Sequence, residues 1–354
     1  MPQLRLVPRP PGDRGRLITG LPVAIDAMGG DRAPSEIVAG AREAAEAGVP
    51  VVLVGPIDGS LGDTGGLEVL PASEVIAMDE DAGRSVRTKR DSSLVRAAEA
   101  VRDGRASAMV SAGNTGATMA SALLRMGRLK GVARPCIATP LPTVSGSSAI
   151  LVDAGANSEC QAEWLVQFAQ MGAAFFVERY GTASLPKVAL LSIGEEPTKG
   201  NALVKATHAL LVDVAEAGGA FEFVGNVEGR DLLAGTVDVV VTDGFTGNVA
   251  LKALEGALTT FMAILGDVFS SSPEAKQAAE VLWPSLAGHA ERLDPEMTGG
   301  AMLLGVGGVC IISHGSSSSR AILNAAKVAH ELAERGLADK LAAAVRPGPA
   351  RVEA

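Results

Sequence analysis

Five loops in this sequence combine glycine with asparagine, aspartate or lysine, and each follows a short aliphatic run. They cover residues 26–31, 113–116, 153–157, 194–201 and 243–248. A glycine-rich turn that opens a helix exposes backbone N–H groups at the positive end of the helix dipole, which suits an anion such as phosphate. One such loop commonly does no more than permit a tight turn. Five of them together favour a phosphate-binding protein.

Two side chains in these loops have the chemistry to bind phosphate and to stabilise an oxyanion. Lys199 offers a cationic point charge, and Asn248 offers an amide donor. The alternative for Lys199 is a solvated loop charge. The alternative for Asn248 is a helix N-cap, because Asn is among the preferred capping residues.

For the five loops to form one site, the fold must bring together the ends of the strands that precede them. Aliphatic runs at residues 22–25, 108–111, 149–152, 188–192 and 237–242 each lead into a polar loop and then a helical stretch. This alternation predicts an α/β fold with a mostly parallel sheet and helices on both faces. Because loops that follow parallel strands meet at the carboxyl edge of the sheet, we expect the five loops to share one edge.

Several catalytic motifs are missing from the sequence. It has no G-x-x-x-x-G-K-[ST] string, which argues against a P-loop NTPase, and the string GVGGVC at residues 305–310 lacks the third glycine of a dinucleotide fingerprint. It has no G-x-S-x-G elbow. Cys136, Cys160 and Cys310 lie outside the five loops and lack metal-ligand spacing, so they indicate neither a covalent intermediate nor a zinc site.

Composition excludes other classes of protein. A net charge of −9 and only 3% aromatic residues argue against a nucleic-acid-binding protein. An odd number of scattered cysteines fits the reducing cytoplasm. The chain also has no uninterrupted apolar run of about 18 residues, the length typical of a membrane-spanning helix.

The sequence divides into three segments. Residues 1–20 contain four arginines but no apolar stretch of a signal peptide, which predicts a disordered leader. Residues 21–345 are predicted to form a single catalytic domain with a helical excursion at about 255–295, and residues 346–354 a flexible tail.

Six strings, in order along residues 21–345, resemble the phosphate acyltransferase family, the acyl-carrier-protein:phosphate acyltransferases. They are IDAMGGDRAP at 25–34, SAGNTGA at 111–117, GEE at 194–196 with KGN at 199–201, GNVEGRD at 225–231, DGFTGNV at 243–249 and HGSS at 314–317.

The resemblance implies that inorganic phosphate attacks the thioester of a long-chain acyl carrier protein and that the acyl phosphate feeds phospholipid synthesis. A membrane glycerol-3-phosphate acyltransferase would consume the product. The resemblance further implies a homodimer with no metal or organic cofactor. It implies a Rossmann-like α/β/α sandwich related to the phosphotransacetylases and isopropylmalate dehydrogenases. We expect a cytoplasmic protein, with peripheral association with the inner face of the cell membrane.

Lys199 and Asn248 match positions that the family uses in catalysis. Phosphate needs orientation and desolvation more than a strong general base. We therefore expect Lys199 to hold phosphate and Asn248 to support the carbonyl oxygen, although the two roles are exchangeable.

Further residues of the six strings are expected to bind phosphate or substrate. Asp26 and Asp243 have helix capping or loop support as an equal alternative, and His314 has a structural hydrogen bond at a strand end as its alternative. The complete set is Asp26, Gly29, Gly30, Asn114, Thr115, Gly116, Asp243, Gly247 and His314.

Two surface features suggest partners. Four cations, Arg84, Arg87, Lys89 and Arg90, form either a solvated face or a dock for the acidic carrier protein. Residues 258–283 are rich in apolar residues around a Ser-Ser-Ser-Pro break. They have three interpretations: core or dimer packing, burial of the acyl chain, and membrane contact.

Two rival functions are weighed against the acyltransferase. A decarboxylating NAD-linked dehydrogenase would need a metal-binding carboxylate cluster and an arginine clamp, neither of which is evident. A non-catalytic regulator that binds acyl carrier protein would have no need for both Lys199 and Asn248.

Overall fold

The computed structural model describes residues 20–182 and 184–345. The predicted leader, except for residue 20, and the predicted tail lie outside the described residues. The described part is an α/β protein built on one large sheet.

Eleven strands form this sheet in the described part of the chain. They are β1 (Val23–Asp26), β2 (Val51–Gly55), β3 (Val69–Pro71), β4 (Ala108–Ser111), β5 (Cys136–Pro142), β6 (Ser148–Val152), β7 (Lys187–Leu191), β8 (Glu222–Val227), β9 (Val239–Val241), β10 (Ala301–Leu304) and β11 (Val309–Ile312). The central strands are short aliphatic runs, as expected for strands that helices cover on both faces.

Ten α-helices connect the strands within the described residues. They are α1 (Ser35–Glu46), α2 (Ala82–Thr88), α3 (Ser93–Arg102), α4 (Thr115–Arg125), α5 (Ala162–Tyr180), α6 (Ala202–Glu216), α7 (Gly244–Ser270), α8 (Pro273–Leu293), α9 (Ser319–Glu334) and α10 (Leu337–Ala344). Short 3₁₀ turns cover Gly229–Leu233 and Pro295–Met297.

Three of the helices that follow the polar loops, α4, α6 and α7, begin at side-chain caps. The side chain of Asn114 accepts a hydrogen bond from the backbone N–H of Ala117 at the start of α4, and Asn201 and Asp243 cap α6 and α7 in the same way. A cap satisfies one of the backbone donors that the first helical turn leaves unpaired. These capping residues therefore fix where the loops before α4, α6 and α7 end.

The order of the strands is β3-β2-β1-β4-β11-β10-β5-β6-β9-β7-β8. Strands β1, β2, β3, β4 and β11 are parallel, but β10 pairs antiparallel with both β11 and β5, and β5 pairs antiparallel with β6. Strands β6, β9, β7 and β8 are again parallel to one another. The two parallel halves consequently run in opposite directions.

This reversal corrects one expectation. The five polar loops do not share one edge of the sheet: the loops after β1 and β4 lie at one edge, and those after β6, β7 and β9 lie at the other. Three antiparallel pairings in the centre of the sheet cause the reversal, and local periodicity does not reveal strand direction.

Two apolar layers cover the sheet. One face packs against α1, α5, α6, α9 and α10, with Phe168 and Phe175 among the largest buried side chains. The other face packs against α2, α3, α4 and the first turns of α7. Small residues such as Ala97, Ala98 and Ala325 let these helices approach the strands closely.

Helices α7 and α8 form a hairpin, called here the α7–α8 hairpin, that carries an exposed apolar surface. Only Gly244 and Gly247 are buried in α7, and α8 has no buried residue. Val281 is 75% exposed and Trp283 is 51% exposed. Within the described residues, α7 alone is long and apolar enough to cross a membrane, with a mean hydropathy of 1.5 over its most apolar 18 residues.

Candidate functional site

The loops after β1, β4 and β11 form one compact group, called here the β1 edge. Asp26 is buried, and its carboxylate accepts a hydrogen bond of 2.7 Å from the Ser111 hydroxyl. The backbone N–H of Asp31 donates to the carbonyl oxygen of Gly315 over 2.8 Å. These bonds join the three loops into one unit.

Glycines make this contact between loops possible. A Cβ on Gly29 would collide with the carboxylate of Asp26. Gly30 has a φ of +113°, and a Cβ there would lie 3.1 Å from the carbonyl oxygen of Gly315. Only glycine adopts such a φ without strain. The structure therefore gives both glycines a packing role at the β1 edge.

Burial raises the pKa of Asp26 above its usual value, although hydrogen bonds from Ser93, Ser111 and the Met28 N–H oppose the change. Desolvation disfavours the charged form of a carboxyl group. Asp26 is thus an internal support of the β1 edge, in agreement with the loop-support alternative.

The Asn114 side chain is fully engaged with protein. Its oxygen caps α4, and its amide nitrogen donates to the carbonyl oxygens of Met78 at 2.9 Å and Glu80 at 3.2 Å. Thr115 and Gly116 follow in the exposed first turn of α4. At this position, an anion would therefore be bound by backbone N–H groups.

His314 is exposed at the end of β11. Its Nδ1 atom lies 2.8 Å from the hydroxyl of Ser316, a contact within its own loop. The structural hydrogen bond expected as the alternative is present, while the rest of the ring faces solvent.

The loops after β6, β7 and β9 form a second group, called here the β9 edge. Val241 pairs in register with Val152 on one side and with Leu190 on the other, so the three chains leave the sheet side by side. Neighbouring strands lie about 4.8 Å apart. This spacing brings the candidate catalytic loops of Lys199 and Asn248 to the same edge.

Asp153 organises the β9 edge, and we assigned it no role from the sequence. Its buried carboxylate accepts backbone hydrogen bonds from Ile137, Gly155, Ala156 and Asn157 at 2.8–3.1 Å. Burial raises its pKa, and these hydrogen bonds oppose the change. An aspartate directly after a buried strand and before a Gly-Asn loop is the sequence signal for this role.

The first turn of α7 packs tightly on the Asp153 loop. A Cβ on Gly247 would collide with the carbonyl oxygen of Asp153, so only glycine fits there. Asp243 caps α7 through the N–H of Thr246 at 2.9 Å, which supports its capping alternative. Asn248 is exposed, and its amide oxygen would lie 3.5 Å from a Cβ on Gly155.

Lys199 lies on the neighbouring loop with an exposed side chain. The backbone N–H of Lys199 donates to the Glu196 carbonyl oxygen at 3.0 Å, and the stem of Lys199 packs over Gly194. The amide nitrogen of buried Asn226 also donates to this carbonyl oxygen at 3.0 Å, and the Asn226 oxygen lies 3.1 Å from Nδ1 of His208.

This arrangement connects the Lys199 loop to β8 and α6. Asn226 belongs to one of the six family-like strings, but its position in a strand gave no indication of this contact. With its amide nitrogen donating to Glu196, its oxygen must accept, which requires a protonated Nδ1 on His208.

The four predicted docking cations do not act as one group. Lys89 forms an ion pair with Glu80 and donates to the carbonyl oxygen of Val75 at 2.7 Å. This contact with Lys89, followed by one with Ser85, lowers the pKa of Glu80 to about 2. Three exposed arginines remain in the patch, namely Arg84, Arg87 and Arg90.

The cysteines are poor nucleophiles in this structure. Burial raises the pKa of Cys310 to about 12 and that of Cys160 to about 11, and burial also raises the pKa of Cys136. A thiol in this condition carries little thiolate at neutral pH.

One carboxylate cluster of the described residues has the spacing of metal ligands. It comprises Glu195, Glu228 and Asp231. Arg230 forms ion pairs with Glu195 and Glu228, and Asp231 accepts a hydrogen bond from the Glu228 backbone N–H. Protein groups therefore already compensate the three charges.

A largely apolar groove of about 650 Å³ lies between α7, the β5 strand and the loop after β11. Its α7 wall runs from Leu251, about one turn beyond Asn248, to Met262, and its lining also includes His314. The groove is therefore lined by a residue of the β1 edge and by the helix that starts at the β9 edge.

The sequence is similar to that of proteins with an assigned activity. Residues 21–340 match the model of a family described as "Fatty acid synthesis protein". The phosphate acyltransferase of Heliobacterium modesticaldum is 48% identical over 87% of this chain and 93% of its own length. That of Elusimicrobium minutum is 48% identical over 89% and 93%.

Solved structures support the fold. A phosphotransacetylase from Streptococcus pyogenes superposes with a TM-score of 0.59 at 16% identity, over 88% of this chain and 94% of its own. A branched-chain phosphotransacylase from Enterococcus faecalis gives 0.57 at 16% identity, over 88% and 99%. The expected relationship to phosphotransacetylase architecture is confirmed.

Proposed function

Since this chain belongs to the phosphate acyltransferase family, an enzyme family of fatty acid and phospholipid synthesis, we propose that its acyl donor is a long-chain acyl carrier protein. One phosphate oxygen attacks the thioester carbon, the C–S bond breaks, and the carrier leaves as a thiol. The products are an acyl phosphate and free carrier protein.

The observation that carries the proposed mechanism is the arrangement of the β9 edge. Exposed Lys199 lies on the loop that leads into α6, and exposed Asn248 lies near the start of α7; the N-termini of both helices point their N–H groups toward this edge. A cation and two helix N-termini favour a phosphate dianion. An amide donor beside them favours the oxyanion that forms on the thioester carbon.

We assign phosphate binding to Lys199 and oxyanion support to Asn248. Lys199 reaches the site on a flexible stem, which suits a charge that must follow the moving phosphate. Asn248 follows the first turn of α7, which packs on the Asp153 loop at Gly247, so the backbone that carries its amide is held in place. A preorganised donor of this kind contributes about 10²–10³ in rate.

The assay combines the purified protein with palmitoyl-acyl carrier protein and inorganic phosphate, without nucleotide or added metal. Released carrier and acyl phosphate trapped by hydroxylamine are measured. We expect phosphate-dependent turnover that falls by at least about 10²-fold in Lys199→Ala. Lys205→Ala, an exposed lysine on α6, is the matched control and retains turnover.

Carrier binding without turnover would support the regulator instead. Turnover that requires a divalent metal and a nicotinamide nucleotide would support the dehydrogenase. Equal activity of Lys199→Ala and Lys205→Ala would reject the role of Lys199 while leaving the reaction intact.

We propose that the carrier protein docks on Arg84, Arg87 and Arg90. These exposed cations precede α3 on a chain of net charge −9, so they provide a local attraction for an acidic partner.

We also propose that the chain is a cytoplasmic homodimer that associates peripherally with the inner face of the cell membrane. The exposed apolar side chains of the α7–α8 hairpin support an additional contact, either with the second copy or with lipid. Delivery of the acyl phosphate to a membrane glycerol-3-phosphate acyltransferase follows from this placement. Mass measurement in solution and sedimentation with anionic vesicles test the two contacts separately.

A further inference from the structure

The groove between α7, β5 and the loop after β11 has no assigned occupant. Its walls are mainly apolar, and its lining includes His314 and Leu251, which lies about one turn beyond Asn248 on α7. We infer that this groove holds the hydrocarbon tail of the acyl group during transfer. This inference rests on the proposed function and specifies where that reaction buries its tail.

The length of the groove fits a long fatty acyl chain. From Leu251 to Met262, α7 advances eleven residues, or about 16 Å at 1.5 Å per residue. One leaflet of a membrane's hydrocarbon core, which long acyl chains span, is about 15 Å thick. A short acyl group would fill only part of such a groove.

The lining also fits a hydrocarbon. Leucines from three elements meet there: Leu141 from β5, Leu233 from a 3₁₀ turn, and Leu254 and Leu258 from α7. Each methylene that leaves water for such a surface contributes to binding, so affinity should rise with chain length.

The carboxylates that line the groove are already paired. Glu296 accepts hydrogen bonds from the backbone N–H and the hydroxyl of Ser318, Asp294 caps the adjacent 3₁₀ turn, and Glu255 pairs with Lys252. Their charges favour a neutral tail over an anionic ligand, because a bound anion would meet three carboxylates and the described lining includes no lysine or arginine.

The groove is continuous with the candidate site. Leu251 follows Asn248 on the same helix, about one turn away, so a carbonyl carbon held near Asn248 leads its tail directly along the leucines. Leu254 lies between Leu251 and Met262 on the α7 wall of the groove.

The test compares palmitoyl and butyryl donors on the same carrier protein with the variant Leu254→Trp. Because an indole there occupies the space beside the α7 wall of the groove, we expect kcat/KM for palmitoyl transfer to fall at least about tenfold, with butyryl transfer within about twofold of wild type. Thr260→Trp, on the side of α7 that does not line the groove, is the matched control and should change neither value.

An equal loss with both donors in a folded Leu254→Trp, judged by an unchanged thermal transition, would overturn the tail site. An unchanged ratio of kcat/KM between the palmitoyl and butyryl donors would also overturn it. Absence of turnover with either donor in wild type would instead reject the proposed function, so the two failures are distinguishable.

A second measurement does not depend on the folding of a variant. A palmitoyl donor with a diazirine in its chain should, on irradiation of the wild-type protein, label peptides from residues 251–262 or 139–142. Labelling confined to residues 264–283 of the hairpin would place the tail outside the groove and overturn the inference.

Discussion

The β1 edge and the β9 edge contain similar residues that have different roles. At the β1 edge, the side chains of Asp26 and Asn114 are occupied by hydrogen bonds that hold loops to each other. At the β9 edge, the Asp153 carboxylate accepts the hydrogen bonds that hold the loop, whereas the side chains of Lys199 and Asn248 remain exposed. Two Gly-Asn loops of the same appearance thus differ in whether their asparagine has functional groups left for a ligand.

Replacing the two asparagines should separate these uses. We expect Asn248→Ala to lower kcat by about 10²–10³-fold with little change in thermal stability, because in the proposed mechanism its exposed amide donates to the oxyanion. Asn114→Ala should instead destabilise the fold by about 1–2 kcal/mol through the lost cap and loop contacts, with most activity retained. Acyl phosphate formation and thermal unfolding measure both, and the opposite pattern would reverse the assignment of the two edges.

Asn226 should affect catalysis through the Lys199 loop. Asn226→Ala leaves the Glu196 carbonyl and His208 without their partner, which should cost about 1–3 kcal/mol of stability and about tenfold in kcat/KM for phosphate. The measurements are denaturant unfolding and a phosphate titration of turnover.

The control for this variant is Asn201→Ala, which removes the cap of α6 at the end of the same loop. It should cost about 1 kcal/mol of stability with a smaller effect on the KM for phosphate. If both variants raise that KM equally at equal stability loss, Asn226 has only a structural role.

Asp26 should make stability depend on pH in a definite direction. Its folded pKa is raised above the unfolded value, so the native state binds more protons between the two values, and stability falls as pH rises through the raised pKa. The slope from one such group is at most about 1.4 kcal/mol per pH unit, and Asp26→Asn should abolish it. Urea unfolding from pH 4 to 8 checks this, and parallel wild-type and variant curves would contradict it.

The smallest effect is expected at the arginine patch. Arg84→Ala, Arg87→Ala and Arg90→Ala in combination should raise the KM for acyl carrier protein several-fold at low salt, roughly in line with one screened charge contact per residue. Lys89 stays in place because its contacts with Glu80 and Val75 are structural.

The control for the patch removes three exposed lysines elsewhere, namely Lys187, Lys205 and Lys276. It changes the net charge equally, so a similar effect would show that only the overall charge matters. Unchanged kinetics of the arginine variant at low salt would reject the docking surface.

Much of the local structure was predictable from the sequence. The five aliphatic runs correspond to β1, β4, β6, β7 and β9, and the helices expected after them are α1, α4, α5, α6 and α7. The direction of the strands was not predictable, because β10 and β5 reverse the sheet through pairings between residues far apart in the chain.

Candidate site residues were predictable only where a polar segment of the sequence carries side chains suited to binding or catalysis. Lys199 and Asn248 stand in polar segments of the sequence and could be named, although their roles stay predictions. Asn226 lies inside a strand and contacts a loop thirty residues away. The groove draws its walls from separate segments of the chain, each of which is an ordinary apolar stretch by itself. Only tertiary packing brings them together.

The scarcity of aromatic residues gives the two tryptophans a use as optical reporters. Trp164, at the start of α5, lies under the guanidinium of Arg134 at 4.9 Å, while Trp283 is half exposed on the α7–α8 hairpin. The emission maxima of the two tryptophans should therefore differ, and so should the accessibility of their indoles to quenchers. A Trp164→Phe protein would carry a single tryptophan, on the hairpin, and its emission on selective excitation of tryptophan would register whatever surface comes to cover that hairpin.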